Sequence, residues 1–292
     1  MSGPPTVTDA EFALFQRLIH EEAGILLAPH KKALLANRLA RRLRELGLRT
    51  LSAYYRRIKT DGEAERQRLL DAITTNETQF FREPHQLAFL ERRVVPEWRA
   101  RATSGRQTRR VRVWSAACST GEEPYTLAMI LRRFLPPARG WRVEILGSDL
   151  STWALARATQ ATWPIERAGE IPADYRRAFM LRGTGDREGE LRIVPQVRRT
   201  VRFSRINLNA ERYPVQGRFD LILCRNCLMY FSYDRRCHVV RRLLSHLRPG
   251  GYLFVGHAEN LDGVTDRVRR VVPTVYRIPD GAVSADSGRA QA

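Results

Sequence analysis

Apolar residues recur at three- and four-residue steps through the first quarter of the chain, the spacing that lines one face of a helix. Phe12, Phe15, Leu18 and Ile19 follow Thr8-Asp9-Ala10-Glu11, a capping start. Gly24 and Pro29 break that helix. Lys31 to Leu46 carries Leu35, Leu39, Leu43 and Leu46 on one face, and Gly47 ends it. Residues 51–59 and 63–73 predict two more helices, and 85–104 a connecting helix that runs into a basic loop. The period then changes. Strands are predicted at 111–117, 141–150, 201–208, 219–226, 251–257 and 274–279, with helices at 122–135, 151–160 and 234–247 between them. Phe219 to Asn226 is nearly continuously apolar, as a strand covered on both faces would be. Alternating strands and helices predict an α/β fold, a doubly wound, mostly parallel sheet, behind an all-helical N-terminal domain. The expected division is a helical domain over 1–75, a linker over 76–105, a catalytic domain over 106–280 with a small β insertion near 180–200, and a disordered tail over 281–292.

One stretch fits neither period. TTNETQFFREP, residues 74–84, is too polar for a buried strand and too aromatic for a solvated loop. It asks for a role beyond folding. Composition narrows what that role can be. Hydrophobic residues are 43% of the 292, which suits a globular chain. No apolar run approaches the roughly 20 residues of a membrane span, and the N-terminus lacks a signal-peptide pattern, so a cytoplasmic address without direct membrane insertion is expected. Fifty Lys and Arg stand against 31 Asp and Glu, a net charge of +19 that favours an acidic partner without naming it. Four cysteines are too few for a disulfide framework; Cys224 and Cys227 have CxxC spacing but no second pair of ligands, so no metal is expected.

In doubly wound sheets ligands sit beyond the C-terminal strand ends. Four segments arrive there. WSAACSTGEEPYTLAM, 114–129, leads from a strand into a helix, and its small residues let a ligand approach the backbone. It is neither GxGxxG nor a P-loop. Glu122 and Glu123 would repel a diphosphate but welcome a cationic ligand such as S-adenosylmethionine; they also suit a helix N-terminus. Asp149 can accept from ribose hydroxyls, or cap the next helix. Asn207-Leu208 can read and cover an adenine, or close a turn. Arg225, Asn226 and Tyr230 follow the apolar strand in CRNCLMYF.

Together, TTNETQFFREP, WSAACSTGEEPYTLAM, GSDLS, INL, FDLILCRNCLMYF and LRPGGYLFVGHAEN resemble the CheR family, the S-adenosylmethionine-dependent glutamate O-methyltransferases of chemotaxis receptors, over about residues 10–278. The resemblance implies a Rossmann-like class I methyltransferase sheet. It implies that the 74–84 segment folds over the cofactor, with Asn76, Thr78, Arg82, Glu122, Asp149, Asn207, Leu208, Arg225 and Asn226 at cofactor positions. Phe80 and Phe81 would wall the pocket, and Arg82 and Tyr230 would stand nearest the chemistry. S-adenosylhomocysteine would be the product and no metal would take part. Departures are Ser148 where a threonine is usual and Cys227 where a valine is frequent.

The expected partner is the acidic helical cytoplasmic region of a receptor. Arg38, Arg41 and Arg42 lie beside the leucine face of the second helix and are the expected docking residues, with an ordinary solvated face as the alternative. FMLRGTGDREGELRI resembles members whose insertion grips a peptide at the receptor's extreme C-terminus, a second expected partner. A nucleic-acid methyltransferase would carry prolines where Arg225-Asn226-Cys227 stands, so nucleic acid is not expected; a non-catalytic module would have lost Arg82, Glu122 or Asp149.

Overall fold

The computed structural model describes residues 6–281; the terminal stretch expected to be disordered lies, from residue 282 on, outside the described residues. Four helices come first: α1 (Asp9–Ala23), α2 (Lys32–Glu45), α3 (Leu51–Asp61) and α4 (Glu63–Ile73). The capping box is present: Thr8 Oγ1 accepts from the Glu11 N–H, and the Glu11 carboxylate accepts from the Thr8 N–H. Phe15, Leu18, Ile19, Leu35, Leu39, Leu51, Tyr54, Ile58 and Leu69 fuse the four helices into one apolar core.

The connecting helix is α5 (Pro84–Phe89) and α6 (Val95–Thr103), joined by a wide π turn at Leu90–Val94. There follow β1 (Arg110–Ala116), α7 (Glu122–Phe134), β2 (Arg142–Asp149), α8 (Thr152–Gln160), β3 (Thr162–Pro164), α9 (Ala173–Phe179), β4 (Met180–Arg182), β5 (Glu190–Ile193), α10 (Pro195–Arg198) and β6 (Val201–Arg205). Then come β7 (Phe219–Cys224), α11 (Tyr233–Ser245), β8 (Leu247–Val255), β9 (Arg269–Val272) and β10 (Val275–Arg277). The main sheet has the order β6-β2-β1-β7-β8-β10-β9. Its first five strands run parallel, and β10 pairs antiparallel with both β8 and β9. Every residue of β7 is buried, as its unbroken apolar run predicts. The order reverses at β1, so the crevice for a ligand opens beyond β1, β2 and β7.

A second sheet, β3-β5-β4, is antiparallel. The insertion therefore starts earlier than residue 180, because Thr162–Pro164 pairs with Glu190–Arg192. GTGDREGE forms the connection between β4 and β5.

The helical domain is fastened to the sheet by polar ties. Gln67 donates to the Leu150 carbonyl at 3.1 Å, and the Thr152 N–H donates to Asp71 at 2.7 Å. Ile25 bridges to Phe231, and the Leu26 N–H donates to the Tyr230 carbonyl at 2.7 Å. No helix among the described residues is long and apolar enough to cross a membrane.

Candidate cofactor pocket and active site

Strand register builds the pocket. Ala116 at the end of β1 pairs with Ser148 on β2 and with Cys224 on β7. Ala117, Asp149 and Arg225 therefore leave the sheet side by side. The loop after β1 turns sharply, with positive φ at Ala117, Ser119 and Gly121. At Gly121, φ +98°, a Cβ would lie 2.8 Å from the Ala158 Cβ of α8, so only glycine lets the loop sit this low.

Asp149 is buried. Its Oδ2 accepts the Ser119 N–H at 2.8 Å and its Oδ1 the Ser151 N–H at 2.9 Å. Ser151, not Asp149, caps α8 through Ala154. Burial pushes the Asp149 carboxyl above its ordinary value, against the pull of those amides. A carboxylate has about four acceptor sites, so lone pairs remain for a diol.

The linker lies across this loop and is held by its backbone. The Asn76 carbonyl accepts from Ser119 Oγ at 2.9 Å, and the Thr78 carbonyl from Arg167 at 2.8 Å. The Phe80 N–H donates to Glu170, the Phe81 N–H to Thr126, and the Arg82 carbonyl accepts from Arg225 at 2.9 Å. Phe80 meets Trp163 edge-on at 4.9 Å, and Phe81 leans on Tyr175 at 5.0 Å, so both rings anchor the linker to the insertion. Phe81 and Glu83, flanking Arg82, have positive φ. Among the described residues the side chains of Asn76 and Thr78 make no hydrogen bond, and that of Arg82 only a long one, 3.3 Å, to the Glu77 carbonyl. Anchored main chain and uncommitted polar side chains, beside a buried carboxylate, fit a polar nucleoside with a cationic tail.

Residues 76–277 match the family model described as CheR methyltransferase, SAM binding domain, and residues 10–74 match its all-alpha domain. The chain is 38% identical to the chemotaxis protein methyltransferase of Escherichia coli (strain K12), across 93% of this chain and 92% of that protein. It is 38% identical to chemotaxis protein methyltransferase 2 of Pseudomonas aeruginosa, across 92% and 93%, and 37% identical to the Salmonella typhimurium protein, across 93% and 91%.

The chain belongs to the CheR methyltransferase family. S-adenosylmethionine is its cofactor, and the main sheet falls within the matched SAM binding domain.

Within this CheR-family fold the predicted residues separate by what they already touch. Glu122 is buried at the start of α7 and accepts from Trp163 Nε1 at 3.0 Å and Thr120 Oγ1 at 2.7 Å, with Arg167 at 3.2 Å. It thus has a cation of its own. Arg225 is buried and braced: Nε donates to Glu123 at 2.5 Å, Nη1 to the Arg82 carbonyl and to Gln86 at 3.3 Å, with Glu83 at 3.7 Å. Asn226 follows in the left-handed region, φ +57°, with no side-chain hydrogen bond among the described residues. Tyr230 is exposed at the end of a short 3-10 turn, Leu228–Tyr230. Asn207 points to the helical domain: its Nδ2 donates to the Glu22 carbonyl at 2.6 Å and its Oδ1 accepts the Asn209 N–H. The expected adenine-reading amide is therefore partly committed, Nδ2 to the domain junction and Oδ1 to the turn at Asn209, with one N–H and one lone pair left over. Leu208 beside it is buried.

The docking stripe also needs correction. Arg38 donates to the Ile73 carbonyl and to Thr75 Oγ1, closing the end of α4. Arg42 chelates buried Glu65, at 2.8 and 2.6 Å, and Tyr54 donates to the same carboxylate at 2.8 Å. Packing of α2 on α4 draws both arginines inward, and only Arg41, paired with Glu45 in solvent, projects from the face. Cys224 and Cys227 Sγ lie 3.2 Å apart; the neighbouring thiol, and then burial, hold the Cys227 thiol well above its ordinary value, the reverse of a reactive thiolate. Among the described residues no three His, Cys, Asp or Glu gather as a metal site.

Two functional supports escaped the sequence. Gln86, fully buried, donates to the Val255 carbonyl and Thr274 while accepting from Arg225. Arg167 reaches from the insertion to both Thr78 and Glu122. Each is an unremarkable polar residue until the fold brings its partners together.

Proposed function

We propose that this chain methylates glutamate side chains in the acidic, helical cytoplasmic region of chemotaxis receptors, forming γ-glutamyl methyl esters and so resetting sensory output. One observation carries the reading: a linker fixed by five backbone contacts carries Asn76, Thr78 and Arg82, the first two with side chains unclaimed by the fold and the third held by one long hydrogen bond only. When bound, S-adenosylmethionine supplies a methyl group on sulfonium sulfur: a carboxylate oxygen bonds the methyl carbon while the carbon–sulfur pair stays on sulfur.

A glutamate with an ordinary pKa of about 4.3 is already the nucleophile at neutral pH, so no general base is needed. The residues' task is placement, which supplies up to about 7–11 kcal/mol in the best intramolecular cases. Asp149 holds the ribose, and Asn76, Thr78, Glu122, Leu208 and Asn226 complete the cofactor contacts. Arg225 sets the height of Arg82 through its carbonyl. Arg82 and Tyr230 orient the acceptor carboxylate. That carboxylate loses its charge as it is esterified, so the aromatic surround at Phe81, Tyr230 and Phe231 favours reaction by excluding water. Arg41 and its exposed neighbours on α2 meet the receptor's acidic face in the cytoplasm, and the β4–β5 connection takes a receptor C-terminal peptide.

The test is transfer of tritiated methyl groups to receptor cytoplasmic fragments as base-labile label. Arg82→Ala should abolish most label while the melting temperature stays put. Label at wild-type rate in that variant removes Arg82 from the chemistry, and no label with wild-type protein removes the reading.

A further inference from the structure

Glu259 lies just beyond β8, is 7% exposed, and has no cation within ion-pair distance among the described residues. Its charge is met by backbone amides alone. Oε2 accepts the N–H of Gly256 at 2.7 Å and of Asn226 at 2.9 Å; Oε1 accepts the N–H of Met229 at 3.2 Å. The Glu259 N–H returns a bond to the Gly256 carbonyl at 2.8 Å. A buried carboxylate without a counterion is costly unless its lone pairs are filled, and charge-assisted bonds from amides are the strong kind. Burial pushes this carboxyl above its ordinary value, as the missing cation requires.

What these bonds hold is the loop from Arg225 to Phe231. Its remaining backbone ties are local, Tyr230 to Cys227 and Phe231 to Leu228, apart from the Leu26 contact. Asn226 sits at positive φ, in the left-handed region that asparagine tolerates better than most residues. There is no slack around it: a Cβ on Gly256 would lie 2.6 Å from the Asn226 nitrogen, 2.7 Å from its Nδ2 and 2.8 Å from Glu259 Oε2.

We propose that Glu259 is a positioning residue for methyl transfer, clamping the Asn226 and Met229 amides so that the Asn226 side chain faces the cofactor and Tyr230 faces the acceptor. The proposal rests on the roles given to Asn226 and Tyr230 above. Glutamine at this position keeps the shape but replaces one acceptor oxygen with an NH2 donor, which confronts the amides it should bind. The neighbouring β7 and β8 contacts stay intact.

The experiment compares full-length wild type, Glu259→Gln and Glu259→Asp by four readouts. They are melting temperature, hydrogen exchange over residues 225–231, calorimetric affinity for S-adenosylhomocysteine, and kcat and KM for label transfer to receptor fragments. In folded Glu259→Gln the loop amides should exchange faster. Affinity for S-adenosylhomocysteine should fall about tenfold, the equivalent of one charge-assisted hydrogen bond. The kcat should fall about 100-fold, the effect of a misplacement near 1 Å, with receptor KM little changed. Glu259→Asp, which keeps the charge and withdraws it by one methylene, should recover part of both. If Glu259→Gln does not fold, the aspartate variant must still show part of that loss of affinity and kcat in a folded protein. Wild-type affinity and kcat in either folded variant, or a lowered melting temperature as the sole change, overturns the proposal. Should wild type fail to label receptor fragments, the proposed function falls, and exchange and product affinity decide Glu259 independently.

Discussion

Arg225 sits where linker, sheet and α5 meet, and its removal has a calculable cost. Its side chain is 4% exposed and that of Glu123 11%, so the ion pair is buried. Replacing Arg225 with Met fills similar volume but strands the Glu123 carboxylate and leaves the Arg82 carbonyl and Gln86 Oε1 without a donor. Breaking a buried pair from one side costs about 3–5 kcal/mol, chiefly the stranded charge. Each kcal/mol lowers the melting temperature by roughly 2–4 °C at this size, so the fall should be about 6–20 °C. Adding Glu123→Gln removes the stranded charge, and the double variant should regain a coupling of about 1–3 kcal/mol. Differential scanning calorimetry reads both steps. The double variant should still bind S-adenosylhomocysteine poorly, because the Arg82 segment remains unbraced. A single-variant shift below about 2 °C, or strictly additive losses, would refute the bracing role.

Three further outcomes follow from the geometry. Gly121→Ala forces a side chain into φ +98° and against Ala158, so it should cost about 1–3 kcal/mol by denaturant titration and weaken S-adenosylhomocysteine binding with it. Arg42→Ala strands buried Glu65 and should cost about 3 kcal/mol, whereas Arg41→Ala should leave the denaturation midpoint in place and slow receptor methylation at low salt only. Burial raises the folded pKa of Asp149 above its ordinary value, so product affinity should fade as pH drops through that raised value; calorimetry across pH checks this, and Asp149→Asn should show weak binding at every pH. Stability linked to Asp149 runs the other way: with the folded pKa above the unfolded one, acidification through it relieves the burial cost.

Much of the architecture could be read in advance because it rests on local period. The leucine spacing of α2, the capping box of α1 and the unbroken apolar run of β7 each declare one element. The docking stripe shows where such reading stops. Steps of three and four place Arg38 and Arg42 beside the leucines, but whether they face solvent or a neighbour depends on where α4 packs. The start of the insertion was hidden for a similar reason, since Thr162–Pro164 becomes a strand only by pairing with residues 26 or more positions away. Glu259 reads as a polar residue in a turn; one of its three amide donors, Gly256, is in that turn, and the other two, Asn226 and Met229, come from the loop after β7, brought to it by the register of β7 against β8.

The fold separates the predicted pocket residues into two kinds. Asp149, Glu122, Arg225 and Asn207 are each engaged by protein partners, so their side chains shape the site and stabilise it together. Asn76, Thr78, Arg82 and Asn226 are placed by their backbones alone, by Ser119, Arg167, Arg225 and Glu259 respectively. Three of those four struts come from the sheet's strand-end loops and one from the insertion, while the linker itself lies between the two domains. Any shift of the insertion or of the β7 loop therefore moves the uncommitted side chains without unfolding anything. The polar, aromatic character of TTNETQFFREP follows from that division: its aromatic rings fix the main chain to the insertion, and its polar side chains are kept for a ligand. Arg38, Arg42, Arg167 and Arg225 are internal joints, but the last three are matched by carboxylates that the net charge already subtracts, so fastening accounts for little of the +19 and most of that excess stays available to an acidic partner.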